Sequence, residues 1–302
     1  MRLPATILAT YCLLVLPFAS SVSAGEDIES LENETPDFDF AAFMEREEVA
    51  LWLLRYDRVA WQTTELVMQE PPEVIERLTP IWFCMEHKGA WHALYGQFDS
   101  EKDEYRTVLH YSENSKGFSR SKKALPQAEV NSFARAFHTL DKRLRELLGG
   151  KGVKFNTYVR RLDDRQIEVW ALPAWQEDGQ LAFGTEYRAV VDGEGRGVLE
   201  DAPPTGILKK GTPSLEMDWI IPNEESDVPS VGDIFTTMLV HDSVARAGIR
   251  NREYLSAYVD ISEAGAFRWV HIHRDHDVDT AIEAMRRLHT EGRLQKTAEK
   301  DE

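Results

Sequence analysis

Residues 81–111, IWFCMEHKGAWHALYGQFDSEKDEYRTVLHY, decide what kind of fold this chain forms. They contain three runs rich in aromatic and β-branched residues, a composition typical of β-strands: IWFCMEH, AWHALYGQFD and YRTVLHY. The polar residues 100–104 join the second run to the third. Because connections this short join antiparallel neighbours, the stretch predicts an antiparallel meander of three strands.

The segment that follows predicts a long amphipathic helix. Pro126 opens it, apolar residues recur every three or four positions, and Gly149-Gly150 ends it. The apolar positions are Val130, Phe133, Phe137, Leu140, Leu144 and Leu147. A stripe with this spacing is usually buried against a core, so we expect the helix to pack on the strands.

Helix and strand patterns also flank these two segments. Upstream, apolar residues between 40 and 68 recur at helical spacing and predict one long helix or two shorter ones, ended by Pro71-Pro72. Downstream, helices are predicted to open near Ser230 and to cover residues 280–288, and strand patterns occupy residues 153–162, 166–173, 183–192, 197–201, 254–260 and 267–273. We therefore expect an α+β fold, with helices packed on a mixed, largely antiparallel sheet. We also expect a single main domain over residues 41–292, with an N-terminal helical part at residues 41–80.

Residues 192–197, DGEGRG, contain three glycines at a spacing that resembles a phosphate-binding loop. They lie between two strand patterns, and no helix begins after them to supply the backbone amides that bind phosphate. Asp-Gly between strands is a strong hairpin signal. The segment therefore predicts a hairpin turn.

The first 24 residues have the composition of a secretory signal peptide. Arg2 precedes an apolar run, and Val22 and Ala24 stand at the minus-three and minus-one positions of a cleavage site. The run from Ile7 to Ala19 is too short to span about 30 Å of hydrocarbon at about 1.5 Å per residue. We expect cleavage after Ala24 and a soluble, secreted or periplasmic protein without stable membrane insertion after cleavage.

The chain is strongly acidic, which narrows the classes of molecule that it can bind. It has 35 basic and 52 acidic residues, and loss of Arg2 with the signal peptide leaves 34 and 52, a formal charge of −18. Such a surface repels nucleic acid, so we expect the partner to be a protein or a small ligand. Residues 25–40 carry seven carboxylates and no base and predict a disordered acidic leader, and residues 293–302 predict a charged C-terminal tail.

The densest group of metal-ligating residue types lies in WVHIHRDHDVDT, residues 269–280. On a strand, His271 and His273 project from the same face, and one further residue then completes a zinc site. The candidate metal ligands are His271, His273, Asp275, His276 and Asp277. The alternative is a plain helix N terminus after the strand, because Thr280 and Glu283 have the spacing of a capping box.

A second stretch, WIIPNEESDVPSVGD at residues 219–233, carries a spacing known from zinc enzymes. Pro222 is followed by a loop and then by Ser230 and Asp233, in Ser-x-x-Asp spacing before an apolar helix. This order resembles the signature of the JAMM/MPN zinc metallohydrolases, in which an HxH pair at a strand end precedes the proline. In that family the two His and the Asp hold zinc, and a Glu from an earlier strand handles the proton of the metal-bound water.

The chain departs from that signature at its first two ligands. Trp219 and Ile221 stand where the family has His, and the loop before Ser-x-x-Asp is one residue longer. Neither side chain ligates zinc, so the resemblance, which covers the order of elements over residues 150–290, implies a JAMM-like fold without the metal. Glu168 and Glu186 are both candidates for the position of the family's Glu. A helix cap with its reciprocal acid explains the Ser-x-x-Asp pair without any relationship.

These patterns support three functions. The leading hypothesis is an exported, non-catalytic α+β protein that binds a protein or a small ligand without a cofactor, as a zinc-less JAMM-like domain. The alternative is a metal-dependent hydrolase of the bacterial envelope in which the His271/His273 cluster holds a divalent metal such as zinc. The third is a structural or inhibitory protein that acts through its acidic leader.

Overall fold

Helices and strands occur in separate blocks along the chain. This computed structural model describes residues 38–79, 81–148, 153–205, 208–260 and 267–274. The helices in that part are α1 (Phe40–Val67), α2 (Pro72–Ile75), α3 (Gln127–Leu148) and α4 (Val231–Val240). Its strands are β1 (Trp82–His87), β2 (Ala90–Asp99), β3 (Glu104–Asn114), β4 (Gly117–Arg120), β5 (Phe155–Asp163), β6 (Gln166–Pro173), β7 (Leu181–Phe183), β8 (Glu186–Asp192), β9 (Val198–Thr205), β10 (Lys209–Gly211), β11 (Asp218–Pro222), β12 (Arg246–Arg250), β13 (Tyr254–Asp260) and β14 (Phe267–His273).

The strands form four sheets. Their orders are β1-β2-β3-β4, β5-β6-β8-β9, β10-β7 and β11-β12-β13-β14. Within the described residues β11 and β12 are parallel, and the other neighbouring strands are antiparallel. The predicted α+β class with mostly antiparallel pairing is therefore confirmed, and the strands are divided among several sheets instead of one.

The meander predicted from residues 81–111 is formed by β1, β2 and β3. Lys88 and Gly89 both have positive φ, 54° and 74°, and make the tight turn between β1 and β2. This turn sets the register, in which Met85 pairs with His92 and His87 with Ala90. The strand alternation then places Met85, His87 and His92 on one face of the sheet.

The long helix predicted after Pro126 is α3, and it covers one of two hydrophobic cores. It packs against β1, β3, β5 and β6. Its stripe residues Val130, Phe133, Leu140 and Leu144 are buried in that core, and Leu147 near its end is exposed. The 3.6-residue period therefore located the buried face of α3 correctly.

The first predicted helical segment is one helix, α1, which begins at Phe40. Asp39 caps it by accepting a hydrogen bond from the Ala42 backbone N–H at 2.9 Å, and Phe38 before the cap is buried. Phe38, which belongs to the predicted acidic leader, is thus part of the second hydrophobic core. α1 packs on α4 and contributes to the second core.

The strand predicted over residues 183–192 is broken in two. Gly184 has a φ of 81°, and after it the chain leaves β7, which pairs with β10, and enters β8, which pairs with β6 and β9. A positive φ at glycine is compatible with a sharp bend inside an apolar run. Strand β12 was not predicted, because its short apolar centre stands between Arg246 and Arg250.

Several predictions fall outside the described residues: the signal peptide (1–24), most of the leader (25–37), the helix at 280–288 and the tail at 293–302. Within the described residues, no helix combines the length and the hydropathy that crossing a membrane requires.

The glycine-rich segment 192–197 is a hairpin turn, as predicted, and it connects β8 to β9. The Asp192 backbone N–H donates to the Gly197 carbonyl at 2.8 Å, and Gly195 has a φ of 78°. The turn also docks on α3, because the Thr139 hydroxyl donates to the Gly195 carbonyl at 3.1 Å. A Cβ atom at Gly195 would lie 2.2 Å from the Ser132 carbonyl oxygen of α3.

We predict that Gly195→Ala lowers the free energy of unfolding by about 3 kcal/mol. About 1 kcal/mol comes from the left-handed backbone, and the rest comes from the clash with α3. Gly179→Ala is the matched control, since Gly179 has a φ of 76° and no atom within 4 Å of an added Cβ. It should cost only about 1 kcal/mol. Equal shifts of the two urea midpoints would contradict the contact between this turn and α3.

Candidate functional site

A cleft of about 640 Å³ opens at the N-terminal end of α4. It lies beside the bend at residues 184–186, the loop 222–226 and the first turn of α4, with Arg46 of α1, Trp170 of β6 and Lys209 of β10. We call it the α4 cleft. Its lining comes from elements far apart in the sequence, and several of its side chains are ionisable.

Ser230 begins α4 as its N-cap. Its Oγ accepts a hydrogen bond from the Asp233 backbone N–H at 3.1 Å. Asn223 also donates from Nδ2 to Asp233 at 2.8 Å. The predicted cap is therefore confirmed, and such an N-cap stabilises a helix by about 1 kcal/mol.

Glu186 reaches the same helix end from β8. Its carboxylate accepts a hydrogen bond from the Gly232 backbone N–H, and Ser230 lowers the pKa of Glu186 as a neighbouring polar group. A Cβ atom at position 232 would lie 2.8 Å from Glu186 Oε2, so only glycine leaves room for this approach. The anion site that a helix N terminus creates is thus filled by a side chain of the protein itself.

The two glutamates that the sequence left undecided lie in different surroundings. Glu186 meets Ser230 and Asp233 in the α4 cleft. Glu168 is buried and accepts from Arg160 Nε at 2.5 Å and from Arg188 Nε at 2.7 Å. Glu168 is therefore held in a structural ion-pair cluster.

Two carboxyl groups of the α4 cleft, those of Glu186 and Asp233, have raised pKa values. Burial raises the pKa of Glu186 to about 7, and the neighbouring Asp233 charge adds to the effect. Burial likewise raises the pKa of Asp233 to about 6, although its hydrogen bonds oppose the shift. Two carboxyl groups in a cleft therefore exchange protons close to neutral pH, a property that functional sites often share.

Two cationic side chains, Arg46 and Lys209, line the same cleft. Arg46 donates from Nη1 to the backbone carbonyls of Val228 and Pro229, at 2.9 Å each, and thereby ties α1 to the loop before α4. Neither cation forms an ion pair with a carboxylate of the residues that the structure describes. Neither cation was predicted as a site residue, because both resemble ordinary solvated charges in the sequence.

Trp219 and Ile221, which stand at the family's His positions, are part of the core. Trp219 is buried with its ring 4.8 Å from that of Phe183, and Ile221 is fully buried on the same strand, β11. A Cβ atom at Gly211 would lie 2.9 Å from the Trp219 ring. These two positions supply packing and no metal ligand, so of the three ligand positions in the resembled signature only Asp233 carries a metal-ligating residue type.

The histidines predicted as metal ligands lie on β14. His271 is stacked on Phe38 with ring centroids 3.9 Å apart, and its Nδ1 is 2.9 Å from the Ser256 hydroxyl. Burial lowers the pKa of His271 to about 3. His273 Nε2 lies 3.8 Å from a Glu253 carboxylate oxygen.

The remaining ligands proposed for that cluster, Asp275, His276 and Asp277, lie outside the described residues. Among the residues the structure does describe, no group of three or more His, Cys, Asp or Glu side chains is arranged to hold a metal ion. The metal-site hypothesis therefore stays a prediction.

A histidine cluster that the sequence analysis missed lies on the meander. His92 Nδ1 and His110 Nε2 are 2.9 Å apart, and His87 Nδ1 is 3.1 Å from a Glu129 carboxylate oxygen at the start of α3. Burial, together with the adjacent His110, lowers the pKa of His92 to about 4. His87 and His92 flank the turn between β1 and β2, and that spacing is the only sequence signal for the cluster.

Comparisons with protein-family models, with curated proteins and with solved structures find no match for this chain. The resemblance to the JAMM/MPN family therefore stays a prediction from the motif and from the order of elements.

We predict that the wild type loses stability as the pH rises from about 5 to about 8, and that Glu186→Gln loses less. The folded chain holds the Glu186 proton more tightly than the unfolded chain, whose pKa is near 4.5, so this group destabilises the fold as pH rises toward 7. At about 1.4 kcal/mol per pKa unit, the variant should avoid about 2 to 3 kcal/mol of that loss. Urea unfolding at pH 5 and pH 8 measures the change in the free energy of unfolding. Glu216→Gln, at an exposed position, is the control. An identical pH dependence in Glu186→Gln and wild type would contradict the prediction.

We predict the opposite pH dependence for His92. Its pKa is lowered in the folded chain, so the unfolded chain takes up this proton first and stability falls as pH drops from about 6.5 toward 4. His92→Asn retains an acceptor for His110 and should lose about 2 kcal/mol less than wild type between about pH 7 and pH 4.5. Urea unfolding at both pH values provides the measurement, with His138→Asn on α3 as the control. A variant as acid-sensitive as wild type would remove His92 as the cause.

Proposed function

We propose that this chain is an exported binding protein without catalytic activity and that its ligand occupies the α4 cleft. The observation that carries the proposal is the set of charged side chains of both signs that line this one cleft: Arg46, Lys209, Glu186, Asp233, Glu224 and Glu225. Its volume of about 640 Å³ lies within the range of small-molecule sites in proteins. A small polar ligand is therefore the natural partner of this surface.

The same cleft supports a zinc-less JAMM-like identity for the domain. In the resembled family a Glu from an earlier strand stands beside Ser-x-x-Asp, and here Glu186 contacts Ser230 next to Asp233. The residues do not fit zinc, because a catalytic zinc needs three protein ligands and Trp219 and Ile221 offer none. We therefore derive no step through a metal and propose that the site binds without hydrolysing.

The destination and the class of partner belong to the same proposal. The first 24 residues have the features of a cleavable signal, which favours a secreted or periplasmic protein released after Ala24. The formal charge of −17 for the full chain argues against nucleic acid as a partner.

We predict that some member of a broad mixture of small polar metabolites raises the thermal unfolding temperature of the wild type. A ligand at 100 times its Kd adds about 2.7 kcal/mol, which corresponds to about 5 °C. Thr185→Trp, which places an indole in the α4 cleft, should abolish this rise. Thr107→Trp on exposed β3 is the matched control and should keep it.

Two results would contradict this function. One is that every stabilising compound acts equally on Thr185→Trp and on Thr107→Trp, which would place its binding elsewhere. The other is stoichiometric zinc in protein purified without a His tag, lost in both His271→Ala and His273→Ala, which would favour the metal-dependent hydrolase.

A further inference from the structure

Six charged side chains line the α4 cleft, and among the described residues they form no ion pair with one another: Arg46, Lys209, Glu186, Asp233 and, from the loop 222–226, Glu224 and Glu225. Glu186 and Asp233 feel the charges of Arg46 and Lys209, respectively, yet no ion pair joins either couple. Elsewhere the chain pairs a buried carboxylate directly, as Glu168 does with two arginines. The α4 cleft thus keeps both signs of charge available for a ligand.

The carboxyl groups of Glu186 and Asp233 have only uncharged hydrogen-bond donors. The Glu186 carboxylate accepts from the Gly232 backbone N–H, and the Asp233 carboxylate accepts from Asn223 Nδ2 at 2.8 Å. Burial disfavours their ionised forms, and a cationic group placed between them would restore ionisation. An ammonium group has three donors and can contact both carboxylates at once.

Neither Lys209 nor Arg46 forms an ion pair with a carboxylate of the described residues. The Lys209 ammonium group has no hydrogen bond or ion pair with any described residue, whereas the ammonium group of its neighbour Lys210 lies 3.7 Å from an Asp178 carboxylate oxygen. Arg46 uses Nη1 on two carbonyls, and its other guanidinium nitrogens have no partner in the described part of the chain. Both are suited to an anionic group such as a carboxylate.

A neutral donor in the same lining adds to this arrangement. Trp170 is 4% exposed, and its indole N–H has no acceptor among the described residues although the side chain lines the cleft. An unpaired buried donor costs free energy that a ligand oxygen can recover.

We propose that the α4 cleft binds a zwitterion of the amino-acid class, a free amino acid or a short peptide. Its ammonium group lies between Glu186 and Asp233, and its carboxylate is held by Lys209 and Arg46. A simple amine would leave both cations unpaired, and a simple anion would leave both carboxylates unpaired, so the ligand carries both charges. This inference rests on the function proposed above and specifies its ligand.

The test is isothermal titration calorimetry of the mature chain with the twenty common amino acids and with dialanine and trialanine. The probe that binds most tightly is then compared with its N-acetylated and its C-amidated forms. Each modification removes one of the two charges and should weaken binding at least about tenfold, as loss of a charged hydrogen bond does. Glu186→Gln and Lys209→Met should each weaken the unmodified probe at least about tenfold.

Matched controls separate these effects from general changes of charge. Lys210→Met removes a charge from the next residue of β10, and Glu200→Gln removes one from exposed β9, and both should bind as the wild type does. Circular dichroism and urea midpoints verify that each variant is folded. If Glu186→Gln does not fold, Lys209→Met and the two blocked probes still decide the outcome.

Three results would overturn the zwitterion. These are an absence of binding by every amino acid and peptide at millimolar concentration, unchanged affinity of either blocked probe, and equal effects of Lys209→Met and Lys210→Met. If other compounds meanwhile stabilise the wild type but not Thr185→Trp, the binding function stands and only the ligand class is wrong. If no compound is sensitive to Thr185→Trp, the binding function itself fails.

Discussion

The contact between the Glu186 carboxylate and the first turn of α4 is the constraint on which the rest of the site depends. It joins β8, in the sheet β5-β6-β8-β9, to the helix that packs against β11 and β12. Arg46 adds α1 to the same junction through two carbonyls of the loop before α4. The sheet β5-β6-β8-β9, helix α4 and helix α1 therefore meet near the Glu186 carboxylate and the N-terminal end of α4. The α4 cleft is the space between them.

This junction is electrostatically unusual for a chain of such acidity. A helix N terminus favours a negatively charged group. The carboxyl group that occupies this one, Glu186, is nevertheless buried so deeply that its pKa is raised to about 7. The second carboxyl group, Asp233, stabilises the helix as a capping acid and raises the cost of ionising Glu186. Capping and site chemistry are thus carried by the same residues, so the helix cap and a functional site are not competing explanations of Ser230 and Asp233.

Local patterns in the sequence were sufficient for the elements whose signals are local. These are the period of α3, the meander at residues 81–111 and the Ser230 cap. Each depends on residues that are close together in the sequence. The bend at Gly184 was not predicted, because residues typical of strands stand on both sides of it and only their pairing with different partners reveals the break. For the site, Ser230 and Asp233 were identified, and Glu186 was one of two choices. Arg46 was missed because its contacts lie 182 and 183 residues away.

The space beside Gly232 has a consequence for how related sequences can vary. The Glu186 side chain fills the volume that any larger residue at position 232 would need, and Leu172 is 3.3 Å from the same point. Alanine at 186 removes the 2.8 Å contact with the carboxylate oxygen and leaves only the two 3.3 Å contacts, with the Cβ of residue 186 and with Leu172, which small shifts of those groups must relieve before alanine fits at 232. Positions 186 and 232 should therefore change together across distant relatives, and a lineage that keeps glycine at 232 while varying freely at 186 would have abandoned the junction.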